Sequence, residues 1–183
     1  HEEALARPDV DAVLIGVPDH LHLPLTLAAL AAGKHVYMEK PTTHALGEGA
    51  QLVAAVRKSG KVCQTGTQQR SGAHYARAKA EIVDRGLLGR VIFVRAAWSD
   101  FPWQRRKIAP QPKPSGLDWP RFLGPAKPVP YDWIRYDSWR YFPDYGGGLL
   151  ADILTHWVDV AQWFLNETRP LNAARLASAC AVL

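Results

Sequence analysis

The sequence predicts an α/β fold in which part of an open parallel sheet is followed by part of an α+β region. Short apolar runs alternate with helical segments through the first third of the chain, and turn residues separate them. All seven tryptophans fall between Trp98 and Trp163, whereas the first ninety residues are rich in Ala, Leu, Val and Gly. We therefore expect two regions, at residues 1–69 and 70–183.

The first region alternates strands and helices at a spacing typical of parallel crossovers. Residues 12–17 (AVLIGV) form a continuous apolar run, as expected of a parallel strand that is covered on both faces, and Pro18 ends it. The predicted elements are strands at 12–17, 35–38 and 62–66 and helices at 23–32 and 45–59. Strand, helix, strand, helix, strand in this order predicts an open parallel sheet.

The second region has a different pattern. We expect a helix at 73–85 that stops at Gly86, a strand at 90–98 with alternating faces, and an irregular proline-rich stretch at 102–130. Gly146, Gly147 and Gly148 then introduce a predicted helix at 149–165.

Composition excludes several classes of protein. Apolar residues make up 48% and charged residues 21%, which is ordinary for a globular chain, and no apolar run approaches the length of a membrane span. Cys63 and Cys180 are too few for a disulfide framework. The net charge is +5, but the basic residues are not part of a known nucleic-acid-binding motif, so we expect no nucleic acid partner. No export signal is visible at His1; we expect a cytoplasmic protein, with the periplasm left open.

Polar residues follow the first two predicted strands. The first strand is followed by Pro18-Asp19-His20-Leu21-His22, and the second strand is followed by Glu39-Lys40-Pro41. Ligands of open parallel sheets bind beyond the carboxyl ends of the strands, so Lys40 would face the crevice, with Pro41 holding it extended. A lysine there can hydrogen-bond a substrate hydroxyl and stabilise a developing carbonyl. An ordinary surface lysine is the alternative.

Asp152 and His156 form a second candidate pair. They stand four residues apart on the predicted helix at 149–165 and would share one face. An acid beside an imidazole is a plausible orienting partner and base, because histidine titrates near neutral pH. A simple helix-surface pair is the alternative explanation of this spacing.

Two further interpretations remain open. His20, His22, Asp152 and His156 are acceptable zinc ligands, but no recognised zinc spacing joins them, and we predict no metal. Aromatic residues could pack against the apolar faces of a sugar, with Arg140 and Asp144 binding hydroxyls, although most such aromatics belong to cores. These aromatics are Trp98, Trp103, Trp119, Trp133 and Trp139.

Several motifs occur in one order along the chain. They are PDHLHLPLTLAALAAGKHVYMEKP, GTQQR, GLLGRVIFV, GLDWPRFLGP and GGGLLADILTHWVD. From about Asp9 to Phe164 the sequence resembles the Gfo/Idh/MocA oxidoreductases, and GLDWPRFLGP and WRYFPDYGGG are most similar to bacterial members. The resemblance implies the second half of a Rossmann-type sheet followed by part of an α+β substrate and oligomerisation domain. It also implies NAD or NADP, a carbohydrate or polyol substrate, and a homo-oligomer.

The resemblance also implies roles for individual residues. The catalytic set is Lys40, Asp152 and His156, and Trp139 and Arg140 border the cofactor and substrate. The nicotinamide side is lined by Pro18, His22, Glu39, Lys40, Pro41 and Gln68.

The sequence departs from the resembled family in one respect. The family's strand and G-x-G-x-x-G turn, which bind pyrophosphate at a helix N-terminus, have no counterpart here. The sequence therefore does not distinguish NAD from NADP as the cofactor. We also expect the sequence to be a piece of a longer one. The function predicted from these residues is hydride transfer between a sugar carbon and the nicotinamide ring, with Lys40 and His156 handling the hydroxyl proton and Asp152 orienting His156 or the sugar. The alternatives are a glycosidase or lyase that oxidises its substrate transiently with bound NAD, and a noncatalytic sugar-binding or assembly module.

Overall fold

The structure is a computed structural model that describes residues 1–96, 109–148 and 150–167. The chain divides into two compact units, one formed by His1–Gly66 and Trp103–Asp152 and the other by Thr67–Pro102 and Ile153–Leu183. Each unit is described separately below. The division of the chain into domains at residue 69 stays a prediction.

Helices account for most of the regular structure. Within the described ranges they are α1 (Glu2–Ala6), α2 (His22–Ala31), α3 (Glu48–Ser59), α4 (Ala73–Ala78), α5 (Trp119–Leu123), α6 (Trp133–Asp137) and α7 (Thr155–Leu165). Among these helices, none combines the length and the hydrophobicity that a membrane crossing requires.

A parallel sheet forms the centre of the first unit. Its strands β1 (Ala12–Ile15), β2 (His35–Met38) and β3 (Cys63–Thr65) lie side by side in sequence order. Ala12 pairs with His35, and Val36 pairs with Cys63. The predicted α/β fold with a parallel sheet is confirmed, although two strands are shorter than the predicted runs.

An aliphatic core fills the space between this sheet and its helices. Helices α2 and α3 pack against each other and α2 packs on β1 and β2. Helix α3 ends at Gly60, whose φ of 64° is a conformation that favours glycine. The buried members of this aliphatic core are Ile15, Leu23, Ala29, Leu30, Val36, Met38 and Leu52.

An aromatic core forms a second part of the first unit, within residues 109–148. Trp119 stacks on Phe122 with ring centroids 5.0 Å apart, and its indole N–H donates to the Val129 carbonyl at 2.8 Å. Asp118 and Asp132 accept hydrogen bonds from the first turns of α5 and α6 as N-cap residues. The buried members of this aromatic core are Trp119, Leu123 and Tyr145.

The second unit is described at residues 67–96 and 153–167. Arg70 forms an ion pair with Asp159 at 2.8 Å, and buried Lys79 donates to Asp84 and to Asn166. The helix predicted at 73–85 consists of α4 followed by a π-helical turn at Lys79–Val83.

The strand predicted at 90–98 is wrong over the residues that the structure describes, because residues 90–96 form no strand. An extended run becomes a strand only when a neighbouring strand takes its backbone hydrogen bonds, and no described segment pairs with it. Ile92 and Phe93 are exposed. Residues 97 and 98 lie outside the described ranges.

The helix predicted at 149–165 begins differently from the expectation. A π-helical turn occupies Leu150–Leu154 and α7 follows it, ending at Asn166, whose φ is 56°. Position 149 is outside the described residues. The expectation that Asp152 and His156 share one face assumed α-helical spacing throughout, and this turn does not have that spacing.

Candidate functional site

The carboxyl ends of the three strands form one edge of the sheet. The Glu39 N–H donates to the Ile15 carbonyl at 2.9 Å, and the Gly66 N–H donates to the Met38 carbonyl at 2.8 Å. These hydrogen bonds continue the sheet pairing just past each strand. The segments that leave β1 and β2 therefore begin next to each other, as the positions of Pro18 and Lys40 in the sequence predicted.

Lys40 is held by Asp152, a residue 112 positions later in the chain. Its Nζ donates to Asp152 Oδ1 at 2.6 Å and also to the Asp152 backbone carbonyl. The side chains are only 11% and 10% exposed, respectively. The Lys40–Pro41 peptide bond is cis. The structure thus brings together two of the residues that the sequence predicted as catalytic.

Asp152 also contacts a second cation. Its Oδ2 accepts a hydrogen bond from Arg140 Nε at 2.9 Å, so the two carboxylate oxygens are shared between Lys40 and Arg140. The Arg140 guanidinium lies 4.3 Å from the centroid of the Trp139 ring, a cation–π contact. Because Arg140 is exposed, one side of this cluster is open to solvent while Lys40 is mostly covered.

Three glycines allow the chain to reach Asp152. A Cβ at Gly146 would lie 3.0 Å from the Trp139 ring, and a Cβ at Gly147 would overlap the Ala151 side chain. Gly148 has a φ of 68°, which favours glycine. The triple glycine therefore combines close backbone approach with a left-handed turn just before the π-helical turn that holds Asp152. Such π-helical turns are frequent at functional sites.

His22 is buried between two of these segments instead of facing an open surface. It is 1% exposed, and its ring nitrogens lie 2.9 Å from the Val17 carbonyl and 2.6 Å from the Pro41 carbonyl. The imidazole thereby joins the segment after β1 to the segment after β2. In this position it acts on a bound molecule only through those two segments, and its predicted role in cofactor binding stays a prediction.

The other predicted cofactor residues are spread over both units. Pro18, Glu39, Pro41 and Trp139 are half-buried in the first unit. A Cβ at Gly66 would lie 2.7 Å from Glu39 Oε2, so glycine allows the Glu39 carboxyl to lie against the end of β3. Gln68 is exposed and begins a 3₁₀ turn in the second unit.

His156 lies near the start of α7 in the second unit and is half-buried. Lys40 and Asp152 belong to the first unit. The predicted convergence of Lys40 and His156 on one pocket therefore stays a prediction.

The aromatic residues predicted as sugar platforms have different environments. Trp119 is a core residue, Trp139 supports Arg140, and Trp133 lines a shallow concavity of about 480 Å³. Asp144 forms an ion pair with Arg135 at 3.2 Å. Trp98 and Trp103 lie outside the described residues.

Asp19 and His20, which stand in the polar turn after the first strand and were assigned no catalytic or cofactor-binding role, are both buried. Burial raises the pKa of Asp19, and a nearby negative charge on Asp152 acts in the same direction. Burial lowers the pKa of His20. The signal in the sequence was their place directly after a buried parallel strand, where any polar residue is a site candidate.

The zinc interpretation finds little support at these positions. The ring nitrogens of His20 lie 2.9 Å from the Phe122 carbonyl and 3.3 Å from the Tyr145 carbonyl, so backbone oxygens occupy both. Within the described ranges, no group of three or more His, Cys, Asp or Glu is placed to hold a metal ion.

Comparison with known proteins identifies the family. A family model described as "Oxidoreductase family, NAD-binding Rossmann fold" matches residues 1–67, and one described as "Oxidoreductase family, C-terminal alpha/beta domain" matches residues 74–175. The chain belongs to the Gfo/Idh/MocA oxidoreductase family. The resemblance predicted from its motifs is confirmed.

Curated Gfo/Idh/MocA relatives are considerably longer than this chain. The chain is 31% identical over 167 residues to 1,5-anhydro-D-fructose reductase of Ensifer adhaerens, covering 91% of this chain and 41% of that protein. It is 29% identical over 167 residues to levoglucosan dehydrogenase of Pseudarthrobacter phenanthrenivorans, covering 91% of this chain and 36% of that protein. The chain thus spans 41% and 36% of the lengths of these two relatives.

Solved structures show the same fold. An oxidoreductase domain protein from Kribbella flavida matches with a TM-score of 0.61 and 27% identity, covering 90% of this chain and 38% of that one. A levoglucosan dehydrogenase in complex with NADH matches with a TM-score of 0.58 and 24% identity, covering 89% of this chain and 37% of that one. The second likeness is one of fold alone.

Proposed function

We propose that the protein to which this chain belongs transfers a hydride between a CH–OH carbon of a sugar or polyol and NAD or NADP. The observation that carries the proposal is the buried pair of Lys40 Nζ and the Asp152 carboxylate, 2.6 Å apart, beyond the carboxyl edge of a parallel sheet. Two relatives named for reactions on sugar derivatives, the anhydrofructose reductase and the levoglucosan dehydrogenase, support the substrate class.

The residues after the strands fit a nicotinamide cofactor. Close approach of Glu39 to Gly66 places a carboxyl beside the strand ends, and Lys40 supplies a donor next to it in sequence. When bound, the cofactor would accept or donate the hydride at its nicotinamide ring. The residues proposed to hold it are Pro18, Glu39, Lys40, Pro41, Gln68, Trp139 and Arg140, with His22 acting through the Val17 and Pro41 carbonyls that its ring contacts.

Lys40 and Asp152 would act on the substrate hydroxyl. The Lys40 ammonium donates a hydrogen bond to the hydroxyl oxygen and stabilises the carbonyl that forms there. Asp152 holds the ammonium in place before substrate arrives, and the hydrogen bond from Arg140 Nε orients that carboxylate. His156 is proposed to accept the hydroxyl proton, since an imidazole serves as a base near neutral pH.

The test is the formation of reduced cofactor by the intact protein across a panel of sugars, anhydrosugars and inositols with NAD or NADP. Lys40→Ala should lower kcat/KM by about 10²- to 10⁴-fold, the usual contribution of a positioned proton donor or acceptor. Lys58→Ala, at an exposed position in the last turn of α3, is the matched control and should retain full activity.

Two results would contradict the proposal. One is undiminished activity in Lys40→Ala, which would remove Lys40 from the chemistry. The other is release of an aglycone without net accumulation of reduced cofactor, which would indicate transient oxidation of the substrate and cleavage instead of a net dehydrogenation.

A homo-oligomer, which the family resemblance implies, and a cytoplasmic location are also part of the proposal. Light scattering on the purified protein would test the first, because a homo-oligomer has a mass that is a multiple of the chain mass. Fractionation of the cells that express it would test the second.

A further inference from the structure

The turn after β1 is hydrogen-bonded to the segment that leads to Asp152. The Gly147 N–H donates to Asp19 Oδ2 at 3.3 Å, and the His20 N–H donates to the Tyr145 carbonyl at 3.2 Å. His20 is also anchored through its ring, which contacts the Phe122 and Tyr145 carbonyls. Asp19 and His20 thus both contact the segment that precedes Asp152.

Both of these residues are nearly inaccessible to solvent. Asp19 is 4% exposed and His20 is 3% exposed. Burying a carboxylate costs free energy unless strong partners replace its water, and a single backbone N–H at 3.3 Å replaces little of it. The raised pKa of Asp19 reflects that cost, with burial as its largest cause. Stability alone therefore does not account for an acid at this position.

The segment that Asp19 holds is one that needs to be held. Glycine has more conformational freedom than any other residue type, and three glycines stand in a row at 146–148. Asp152 lies in the π-helical turn that follows them. Lys40, in contrast, follows a strand whose next residue is hydrogen-bonded to β1. One partner of the ion pair is fixed by the sheet, and the other depends on a glycine loop.

We propose that Asp19 and His20 are positioning residues that fix the glycine loop, so that Asp152 meets the Lys40 ammonium. Asp19 fixes the backbone of Gly147, and His20 fixes the carbonyl of Tyr145. The catalytic value of this arrangement rests on the proposed function, whereas the positioning itself does not.

The test measures how well Lys40 is protected from acylation. Acetic anhydride must reach the amine nitrogen, so a buried lysine whose amine is hydrogen-bonded to Asp152 reacts slowly. Mass spectrometry reports its rate beside that of exposed Lys58. Asp152→Asn removes one charge of the pair and sets the reference for a released Lys40. Asp19→Ala should raise the Lys40 rate toward this reference, by about tenfold if one ordinary hydrogen bond controls the loop.

Two variants separate positioning from a general loss of structure. Asp19→Asn keeps an oxygen that can accept from Gly147 and should restore the slow Lys40 rate. Asp9→Ala removes an exposed carboxylate of the same unit that accepts from Arg7 Nε at 2.9 Å, outside the aromatic core, and it should leave the rate unchanged. A slow rate in Asp19→Ala, with a fast rate in Asp152→Asn, would overturn the proposal.

A measurement on the unmodified chain covers the case in which Asp19→Ala does not fold. In ¹⁵N NMR spectra, the Gly147 amide signal should move with pH in step with the Asp19 carboxyl, and a Gly147 signal that ignores the ionisation of Asp19 would overturn the proposal. Charges on His22, His44 and Asp152 also act on Asp19, so its own carboxyl carbon signal is followed in the same samples. Protection of Lys40 by Asp19 in a protein that forms no reduced cofactor would refute the proposed function and leave this inference standing.

Discussion

The aliphatic core and the aromatic core of the first unit organise the chain in different ways. The aliphatic core lies against a regular parallel sheet, where hydrogen bonds between strands fix the backbone. The aromatic core lies among short helices and turns, where stacked rings and capping carboxylates do that work. Lys40 follows the sheet, whereas Arg140 lies within the residues of the aromatic core and Asp152 follows them in the π-helical turn at Leu150–Leu154.

Lys40 and Asp152 need different numbers of contacts to be held in position. Lys40 requires little besides the sheet, because the ladder of hydrogen bonds continues through Glu39. Asp152 requires the three glycines, the Trp139 ring beside Gly146, and the contacts from Asp19 and His20. We expect substitutions in the aromatic core to disturb the ion pair far more than substitutions of similar size in the aliphatic core.

The largest expected effect comes from Trp119→Ala. Loss of this buried indole should lower the free energy of unfolding by about 3–5 kcal/mol, as measured by urea denaturation. Because Trp119 supports the aromatic core, the acylation rate of Lys40 should also rise under conditions where the variant remains folded.

Leu52→Ala is the matched change in the aliphatic core. It should lower the free energy of unfolding by about 2–5 kcal/mol and leave the Lys40 rate unchanged. Equal increases of the Lys40 rate in the two variants would remove the distinction between the cores.

A smaller effect is expected from Gly148→Ala. At a φ of 68° an alanine side chain is strained, so the free energy of unfolding should fall by about 1–2 kcal/mol. Gly47→Ala is the control, because Gly47 has a φ of −70° and its Cβ would meet nothing within 4 Å. Thermal unfolding followed by circular dichroism compares the two, and an equal loss in both would show that the left-handed turn is not the cause.

The sequence predicted the sheet well for a physical reason. Val13, Ile15, Val36 and Met38 lie in short apolar runs bounded by turns, and such runs favour parallel strands almost locally. The expectation that the first strand is covered on both faces is wrong over the described residues, because Leu14 is 72% exposed. Lys40 and Asp152 were both predicted as site residues, and they are in contact. Lys40 was placed by the rule that ligands bind at strand ends, whereas Asp152 was selected from its helical spacing with His156 and from the family resemblance. No local pattern predicted the contact between Lys40 and Asp152.

The remaining details depend on contacts that no local pattern encodes. The burial of His22 between the Val17 and Pro41 carbonyls could not be predicted from a histidine in a polar turn. The π-helical turn at Leu150–Leu154 differs from the predicted α-helix by one hydrogen-bond register, to which apolar periodicity is nearly insensitive. The strand at 90–98 was predicted from β-favouring residues with alternating faces, whereas a strand also requires a partner.

The buried Asp19 and His20 should make the free energy of unfolding depend on pH in opposite directions. Burial raises the folded-state pKa of Asp19 above its ordinary value of 3.8, so the folded protein binds a proton more readily there than the unfolded chain. Its contribution to stability is complete below 3.8 and is lost as the pH rises through the folded-state pKa. Burial lowers the folded-state pKa of His20 below 6.5, so stability falls as the pH drops from 6.5 through that pKa.

Urea denaturation at several pH values checks both signs. The free energy of unfolding of Asp19→Asn should increase relative to that of the unmodified protein as the pH rises, and that of His20→Gln should increase relative to it as the pH falls. Parallel pH profiles for Asp19→Asn and the unmodified protein would mean that the Asp19 carboxyl titrates as it does in water, and its burial against the glycine loop would then not be a feature of the molecule in solution.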